Sequence, residues 1–220
     1  MWDVYVYFSL LFLSLACWLS RFRDLSPALK ALGVPLLATL VMEGYAAYLM
    51  FQMTNTVWLY HFITPVQYTL YAFVFYHGLA GAGIKKTVLV SVPLYLLASL
   101  FIILQLQSSS EYNSYARLMK DALIVCCALV YYWEVFTKLQ VIRLAREPMF
   151  WVSTGLLFYS LGNFFADGLM NQLLEQSYRL AHAVFYINVF LGLLLHATFL
   201  VAFWLTREQP AVPPCKTVLP

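Results

Sequence analysis

Charged residues are scarce in this sequence. Only 10% of its 220 residues are Asp, Glu, Lys or Arg, and 63% are hydrophobic, whereas roughly 25% of the residues in a soluble domain are charged. So few polar groups could not cover a soluble fold of this size, which also contains 17 Phe, 16 Tyr and 6 Trp. The composition therefore predicts a protein surrounded by the lipid bilayer. Because the net charge is only +3, no nucleic-acid partner is expected.

Cysteine is also rare, and zinc-binding motifs are absent from the sequence. The four cysteines lack the spacing of a metal finger: Cys17, Cys126, Cys127 and Cys215. There is no HExxH or HxxxH motif, and the two histidines of the last apolar stretch, His182 and His196, would lie ~21 Å apart along a helix. The pattern therefore departs from the seven-helix zinc hydrolases related to adiponectin receptors and alkaline ceramidases, which use closely spaced histidines there.

Two other heptahelical classes are excluded by missing residues. Residues 178 to 206 contain no lysine that could form a retinal Schiff base. The third apolar stretch ends without an acidic-arginine pair, and the seventh has no Asn-Pro-x-x-Tyr turn, so the G-protein-coupled receptor pattern is absent as well.

Seven apolar stretches are present instead, each close to the roughly 20 residues that a spanning helix needs. They cover residues 2 to 20, 29 to 51, 56 to 78, 87 to 106, 114 to 138, 148 to 171 and 178 to 206. The first lacks the basic region of a signal peptide and carries Asp3 instead, so we interpret it as a permanent span. The sequence predicts an all-α integral membrane protein, a single bundle of seven transmembrane helices.

The distribution of basic residues predicts how this bundle is oriented. Basic residues fill alternate connections and the tail: Arg21, Arg23, Lys30, Lys85, Lys86, Lys138, Arg143, Arg146, Arg207 and Lys216. The positive-inside rule then places the N-terminus outside and the C-terminus in the cytoplasm. We expect residues 1–206 to form the transmembrane domain and residues 207–220 a short Pro-rich cytoplasmic tail.

Polar side chains within the predicted spans fall at a similar depth in the outer half of the bilayer. Counting at about 1.5 Å per residue from the basic anchors places five residues from four spans in this layer. They are Glu43, His61, Asn163, Asp167 and Asn188. Polar groups in a span usually face the bundle interior or a wet cavity. We therefore predict an outward-facing polar pocket lined by these residues together with Tyr68, which shares a helical face with His61.

His196 and the charges of the fifth span have separate interpretations. His196 is predicted near the bilayer centre, where it bonds to a neighbouring helix, takes part in a proton relay or serves as an axial ligand of a metal or haem. Arg117 and Asp121 are four residues apart and are interpreted as an interfacial ion pair, with Lys120 reaching outward. In the alternative, Asp121 and Lys120 turn inward and add charge to the outer pocket. Glu134 is similarly interpreted as the surface partner of Lys138.

Three functions remain compatible with the sequence. The first is a receptor-like or sensor-like protein that binds a small ligand in the outer pocket and signals through a separate cytoplasmic partner. The second is a membrane-embedded metal-dependent hydrolase, whose ligands would be His61, Asp167 and His182. The third is a small proton-coupled transporter using His196. Sensing is preferred to catalysis, and the sequence identifies no cofactor.

Two segments of the chain resemble a known group of proteins. "LYHFITPVQYTLYAFVFY" at 59 to 76 and "FWVSTGLLFYSLGNFF" at 150 to 165 are similar to sequences of small, uncharacterised bacterial seven-helix inner-membrane proteins. Typical members of that group have an acidic residue where this chain has Gln67. The resemblance implies a bacterial origin, an inner-membrane location and the seven-helix form, and it implies no activity.

Overall fold

The computed structural model describes residues 2–54, 56–106, 113–138, 144–176 and 178–206, and this part of the chain is all-helical. Seven α-helices are present in it: α1 Trp2–Ser20, α2 Pro27–Phe51, α3 Val57–Gly78, α4 Ala82–Phe101, α5 Ser114–Lys138, α6 Pro148–Gln176 and α7 Tyr178–Leu205. A π-helical segment, Ile102–Leu106, extends α4, and a short 3-10 turn, Leu144–Arg146, precedes α6. The predicted helical segments are confirmed, and the predicted tail at 207–220 lies outside the described residues.

Four of these helices are long and apolar enough to cross a membrane. The qualifying segments are Pro27–Phe51, Ala82–Gln105, Pro148–Met170 and His182–Leu205, and α1 contains the shorter apolar segment Tyr5–Ser20. By the same measure of length and composition, α3 and α5 do not qualify within the described residues. Both contain polar side chains that are buried inside the protein, such as Thr64 in α3 and Lys120 in α5.

Six of the helices pack in a closed order around a common centre. Going around this helix ring, α1 contacts α2, α2 contacts α3, α3 contacts α5, α5 contacts α6, α6 contacts α7, and α7 returns to α1. Helix α4 lies outside the ring and packs mainly against α3 and α5. We call the end of the ring where α2 and α6 end and where α3, α5 and α7 begin the cavity end.

The helix boundaries have local causes in the sequence. At the start of α2, the Ser26 hydroxyl accepts a hydrogen bond from the Leu29 amide at 3.5 Å, and Pro27 occupies the first turn, where its missing N–H costs nothing. At the opposite end of the ring from the cavity, Arg21 Nη1 donates to the carbonyl oxygens of Phe203 and Trp204 at 2.8 and 3.1 Å. Arg21 thus caps the C-terminus of α7 and ties it to α1.

Glycines allow the closest helix contacts. A Cβ at Gly155 or Gly162 in α6 would collide with Thr198 or Leu191 of α7, and a Cβ at Gly33 in α2 would collide with the Trp18 ring of α1. Small residues at such positions let helix backbones approach each other and gain dispersion contacts. These contacts fix the α6–α7 and α1–α2 walls of the ring.

Candidate functional site

A cavity of about 450 Å³ lies inside the helix ring, toward its cavity end. Each of the six ring helices contributes one polar side chain to its lining. These are Tyr7 from α1, Glu43 from α2, Tyr60 from α3, Arg117 from α5, Tyr159 from α6 and Asn188 from α7. The packing of the ring therefore brings these six residues, which are far apart in the sequence, together around one cavity.

The rest of the lining is mostly apolar. Phe8, Met50, Met170, Phe185 and Val189 contribute apolar surface around the polar groups. Small-molecule sites typically have this character, with a few placed polar groups on a largely apolar wall, and they range from about 300 to 1,000 Å³. The cavity has the size and composition of such a site.

Glu43 is the one carboxylate among the described residues that line the cavity. The Tyr60 hydroxyl donates to its Oε2 atom at 3.4 Å, a long hydrogen bond. Arg117 and Tyr7 are close enough to Glu43 for electrostatic interaction. Within the described residues, however, Glu43 forms no direct ion pair with a basic side chain. Its carboxylate is therefore available to a ligand.

Arg117 also lines the cavity, but it is paired with Asp167 of α6. Its Nε atom lies 2.9 Å from Asp167 Oδ2, and the two side chains are 18% and 0% exposed. One turn further along α5, Lys120 Nζ lies 3.2 Å from Asp121 Oδ1, and both side chains are buried. The prediction of an interfacial Arg117–Asp121 pair with Lys120 reaching outward is therefore wrong. Arg117 pairs with Asp167 of a different helix, and Lys120 pairs with its buried neighbour Asp121, so neither pair lies at the surface.

Two asparagines lie next to tyrosines that line the cavity. Asn163, one turn along α6 from Tyr159, is 1% exposed and close enough to Tyr159 to interact with it electrostatically. Just before α5, Asn113 Nδ2 donates to the Tyr60 carbonyl oxygen at 3.4 Å. The Asn113 contact ties the segment before α5 to the backbone of α3 beside the cavity.

The six predicted pocket residues occupy three kinds of position. Glu43 and Asn188 line the cavity. Asn163 and Asp167 are buried and are not among the described lining residues, but Asp167 is paired with the lining residue Arg117 and Asn163 lies near the lining residue Tyr159.

His61 and Tyr68 are the other two predicted pocket residues, and neither is among the described lining residues. His61 is 3% exposed. The Tyr68 hydroxyl lies 2.6 Å from Ser91 Oγ, and its ring packs against Tyr95 with 4.4 Å between centroids. Tyr68 thus faces α4, outside the ring, because α4 offers it a hydroxyl partner and an aromatic surface.

His196 lies beside the cavity, not in its lining. Its ring meets Tyr7 edge-on with centroids 5.2 Å apart and is 3% exposed. Through Tyr7, His196 contacts the wall of the site. The other predicted histidine of α7, His182, is exposed and packs against Tyr186.

The metal site of the hydrolase hypothesis, with His61, Asp167 and His182 as ligands, does not form in the described part of the chain. There, no group of three or more His, Cys, Asp or Glu side chains is placed to hold a metal ion. His182 is exposed, whereas His61 and Asp167 are buried. The structure does not bring these three residues together as a ligand set.

Tyr7, Tyr60 and Arg117 are cavity residues that the sequence did not identify as such. Tyrosines are frequent in this chain, and only the closure of α1 onto α7 shows that Tyr7 faces inward. Arg117 has an acidic residue four positions away, which favours a local pair over an interhelical one on sequence grounds.

No family model matches the sequence, and no curated protein or solved structure is significantly similar to it.

Proposed function

We propose that the protein is a seven-span, multi-pass protein of a bacterial inner membrane that senses a small ligand in a pocket open to the outside. The observation that carries this proposal is the cavity into which all six ring helices project a polar side chain. A ligand there would contact every helix of the ring at once. Such a ligand can change how the helices pack, which is what transmembrane sensing requires.

The distribution of apolar side chains supports a lipid environment for all seven helices, including α5. The buried residues of α5 include Lys120 and Asp121, whereas its exposed side chains include Leu129, Trp133 and Phe136. A helix in water would show the opposite pattern. The charges of α5 lower its average hydropathy without facing lipid, which explains why it can span the bilayer without meeting a simple hydropathy criterion.

Helix α3 follows the same pattern. It exposes Phe62 and Phe73 and buries His61 and Thr64. Helix α1 completes the set, since its apolar segment Tyr5–Ser20 is about 24 Å long at 1.5 Å per residue. Flanking residues can extend that length to span the hydrocarbon layer.

The positions of the basic residues support a pocket that opens to the outside. Most of the described basic residues in or near the connections lie at the end of the ring opposite the cavity: Arg21, Arg23, Lys30, Lys85, Lys86, Lys138 and Arg146. Arg179, near the start of α7, is the exception at the cavity end. By the positive-inside rule the end opposite the cavity faces the cytoplasm. The N-terminus and the cavity are then on the outer side, and the C-terminus is cytoplasmic. An output signal would pass to a separate cytoplasmic partner.

Proton-coupled transport is the second candidate. The Arg117–Asp167 and Lys120–Asp121 pairs are buried next to the cavity, and ionisable groups inside spans commonly mark ion or proton pathways. Flux measurements in proteoliposomes separate the two functions, because a sensor binds its ligand without moving it across the bilayer.

Cysteine labelling tests the orientation. Thr56→Cys places a thiol at the cavity, and Gly83→Cys places one at the opposite end, where an added Cβ meets no atom within 4 Å. In a background without native cysteines, a membrane-impermeant maleimide applied to spheroplasts should modify the first and spare the second. The reverse pattern would overturn the proposed orientation.

Filling the cavity tests the binding function. Ala47 lines the cavity, so Ala47→Phe should occupy ligand space, whereas Leu97→Phe alters a side chain that is 67% exposed. Compounds that raise the unfolding temperature of the parent protein in nanodiscs should have no effect on Ala47→Phe and should still stabilise Leu97→Phe. A screen whose hits stabilise all three proteins alike would contradict binding at this site.

A further inference from the structure

We propose that the ligand is a small organic cation with an apolar body, held by the Glu43 carboxylate and neighbouring aromatic rings. This inference rests on the proposed binding function. It adds the chemical class of the ligand, which follows from the charges, the rings and the apolar wall around the cavity.

Among the described residues at the cavity, the charge balance leaves one negative charge. Arg117 is paired with Asp167 at 2.9 Å, and Lys120 with Asp121 at 3.2 Å, so each of these pairs sums to zero. Glu43 remains, with only the Tyr60 hydroxyl as a direct partner among the described residues. An ionised carboxylate in a poorly hydrated site is stabilised strongly by a cation. A ligand with one positive charge would complete the balance.

An anionic ligand fits this arrangement poorly. Its natural partner would be Arg117, whose Nε atom already contacts the fully buried Asp167. It would also meet the negative charge of Glu43 across the same cavity. Both effects disfavour an anion, since like charges at short range repel strongly where water is scarce.

Aromatic rings surround the position that the cation would occupy. Tyr7 and Tyr60 both interact electrostatically with Glu43, and Phe8 and Phe185 complete an aromatic wall. Aromatic faces attract ammonium groups, most strongly where water is excluded. A carboxylate combined with several rings is suited to an alkylammonium group.

An inorganic cation is a poor match for the same site. Calcium and magnesium require six or more oxygen ligands, several of them usually carboxylate oxygens. Glu43 is the one carboxylate among the described lining residues, and most of the wall is apolar, with Ala46, Met50 and Val189 among its contributors. A cavity of about 450 Å³ with this wall holds an organic body next to the charged group.

Three probes of nearly equal size and different charge test the ligand class: phenethylammonium, neutral 2-phenylethanol and anionic phenylacetate. Calorimetric titration into protein in nanodiscs, with empty nanodiscs subtracted for lipid partitioning, gives the three affinities. Phenethylammonium should bind about tenfold or more tightly than 2-phenylethanol, because a charge-assisted contact contributes at least this much. Phenylacetate should bind most weakly.

Substitutions of Glu43 identify the group responsible. Glu43→Gln should abolish the preference for the cation, and Glu43→Asp, which keeps the charge, should retain most of it. Asp24→Asn, an exposed carboxylate at the opposite end of the ring, is the matched control and should leave all three affinities unchanged. The preserved preference in Glu43→Asp also shows that position 43 tolerates substitution.

The outcomes separate this inference from the proposed function. Equal binding of cation and alcohol, abolished by Ala47→Phe, would overturn the cation assignment and leave the pocket intact. Preferential binding of phenylacetate would overturn it as well. Absence of binding by all three probes would reject the ligand class, while the compound screen with Ala47→Phe would decide separately whether the cavity binds other molecules.

Discussion

Arg117 Nε and Asp167 Oδ2 lie 2.9 Å apart and join α5 to α6 beneath the cavity. The pair connects a residue that lines the cavity to one that is fully buried behind it. Because the pair is interhelical, it holds two walls of the ring in register and also neutralises Arg117. It therefore sets both the shape and the charge of the site.

Removing one member of this ion pair should lower the free energy of unfolding more than replacing both members with apolar residues. Asp167→Asn leaves the guanidinium without its partner, and breaking a buried pair costs about 3–5 kcal/mol of unfolding free energy. The double variant Arg117→Met, Asp167→Leu should lose much less than the sum of the single variants. Denaturant unfolding in mixed micelles measures the cycle, with Asp24→Asn as an exposed control. Strictly additive losses would show that the two side chains do not interact energetically.

Glu134 should stabilise the connection between α3 and α4. It is buried, and its Oε2 atom accepts a hydrogen bond from the Ala80 amide at 3.0 Å, whereas the sequence predicted a surface pair with Lys138. Glu134→Ala should lower the unfolding free energy by about 1–3 kcal/mol because the buried amide loses its acceptor. Glu134→Gln retains an acceptor and should lose less. Hydrogen exchange at Ala80 should accelerate in the alanine variant, and an unchanged rate there would contradict this role.

Replacing two glycines of α2 by alanine should change the stability of the protein in opposite directions. At Gly33 a Cβ would collide with the buried Trp18 ring of α1, whereas at Gly44 it would meet nothing within 4 Å. Gly33→Ala should therefore destabilise the protein through overpacking, by about 1–3 kcal/mol. Gly44→Ala should gain about 0.5–1 kcal/mol from higher helix propensity. Melting temperatures of the two variants, measured in the same detergent, compare them directly, and equal shifts would contradict the close α1–α2 contact.

Arg21 and Arg23 lie in the same loop, but we expect only Arg21 to stabilise the protein against unfolding. Arg21 donates to the carbonyl oxygens of Phe203 and Trp204, whereas Arg23 is exposed. Arg21→Gln should lower the unfolding free energy by about 1 kcal/mol through loss of the α7 cap. Arg23→Gln removes the same charge from the same loop, so it controls for effects on membrane insertion. If both variants unfold at the same temperature, Arg21 does not stabilise α7.

The helices were predictable from sequence because each one is an apolar stretch bounded by polar connections. The predicted segments 2 to 20 and 114 to 138 coincide with α1 and α5. The start of α4 was placed at residue 87, five residues late, because Lys85 and Lys86 were interpreted as loop residues although they belong to the first turns of the helix. Charged residues close to a membrane surface can belong to a helix, so the position of charged residues alone does not show where a helix begins.

The site was less predictable because it depends on which helix faces which. Counting residues along the predicted spans placed Glu43 and Asn188 at a similar level, and both of them line the cavity. This count could not show that Tyr68 faces α4, since that requires knowing that α4 packs outside the ring. Nor could it show that Arg117 selects Asp167, fifty positions later, over Asp121 within its own helix. Such choices are tertiary, and local spacing does not determine them.

The contact of α1 with α7 closes the helix ring between two helices that are far apart in the sequence. During biosynthesis the ring cannot close until α7 has been made. Until then Tyr7 lacks its neighbour His196, and the wall that contains Asn188 is missing. A nascent chain would thus complete the walls of the cavity only after α7 has been synthesised.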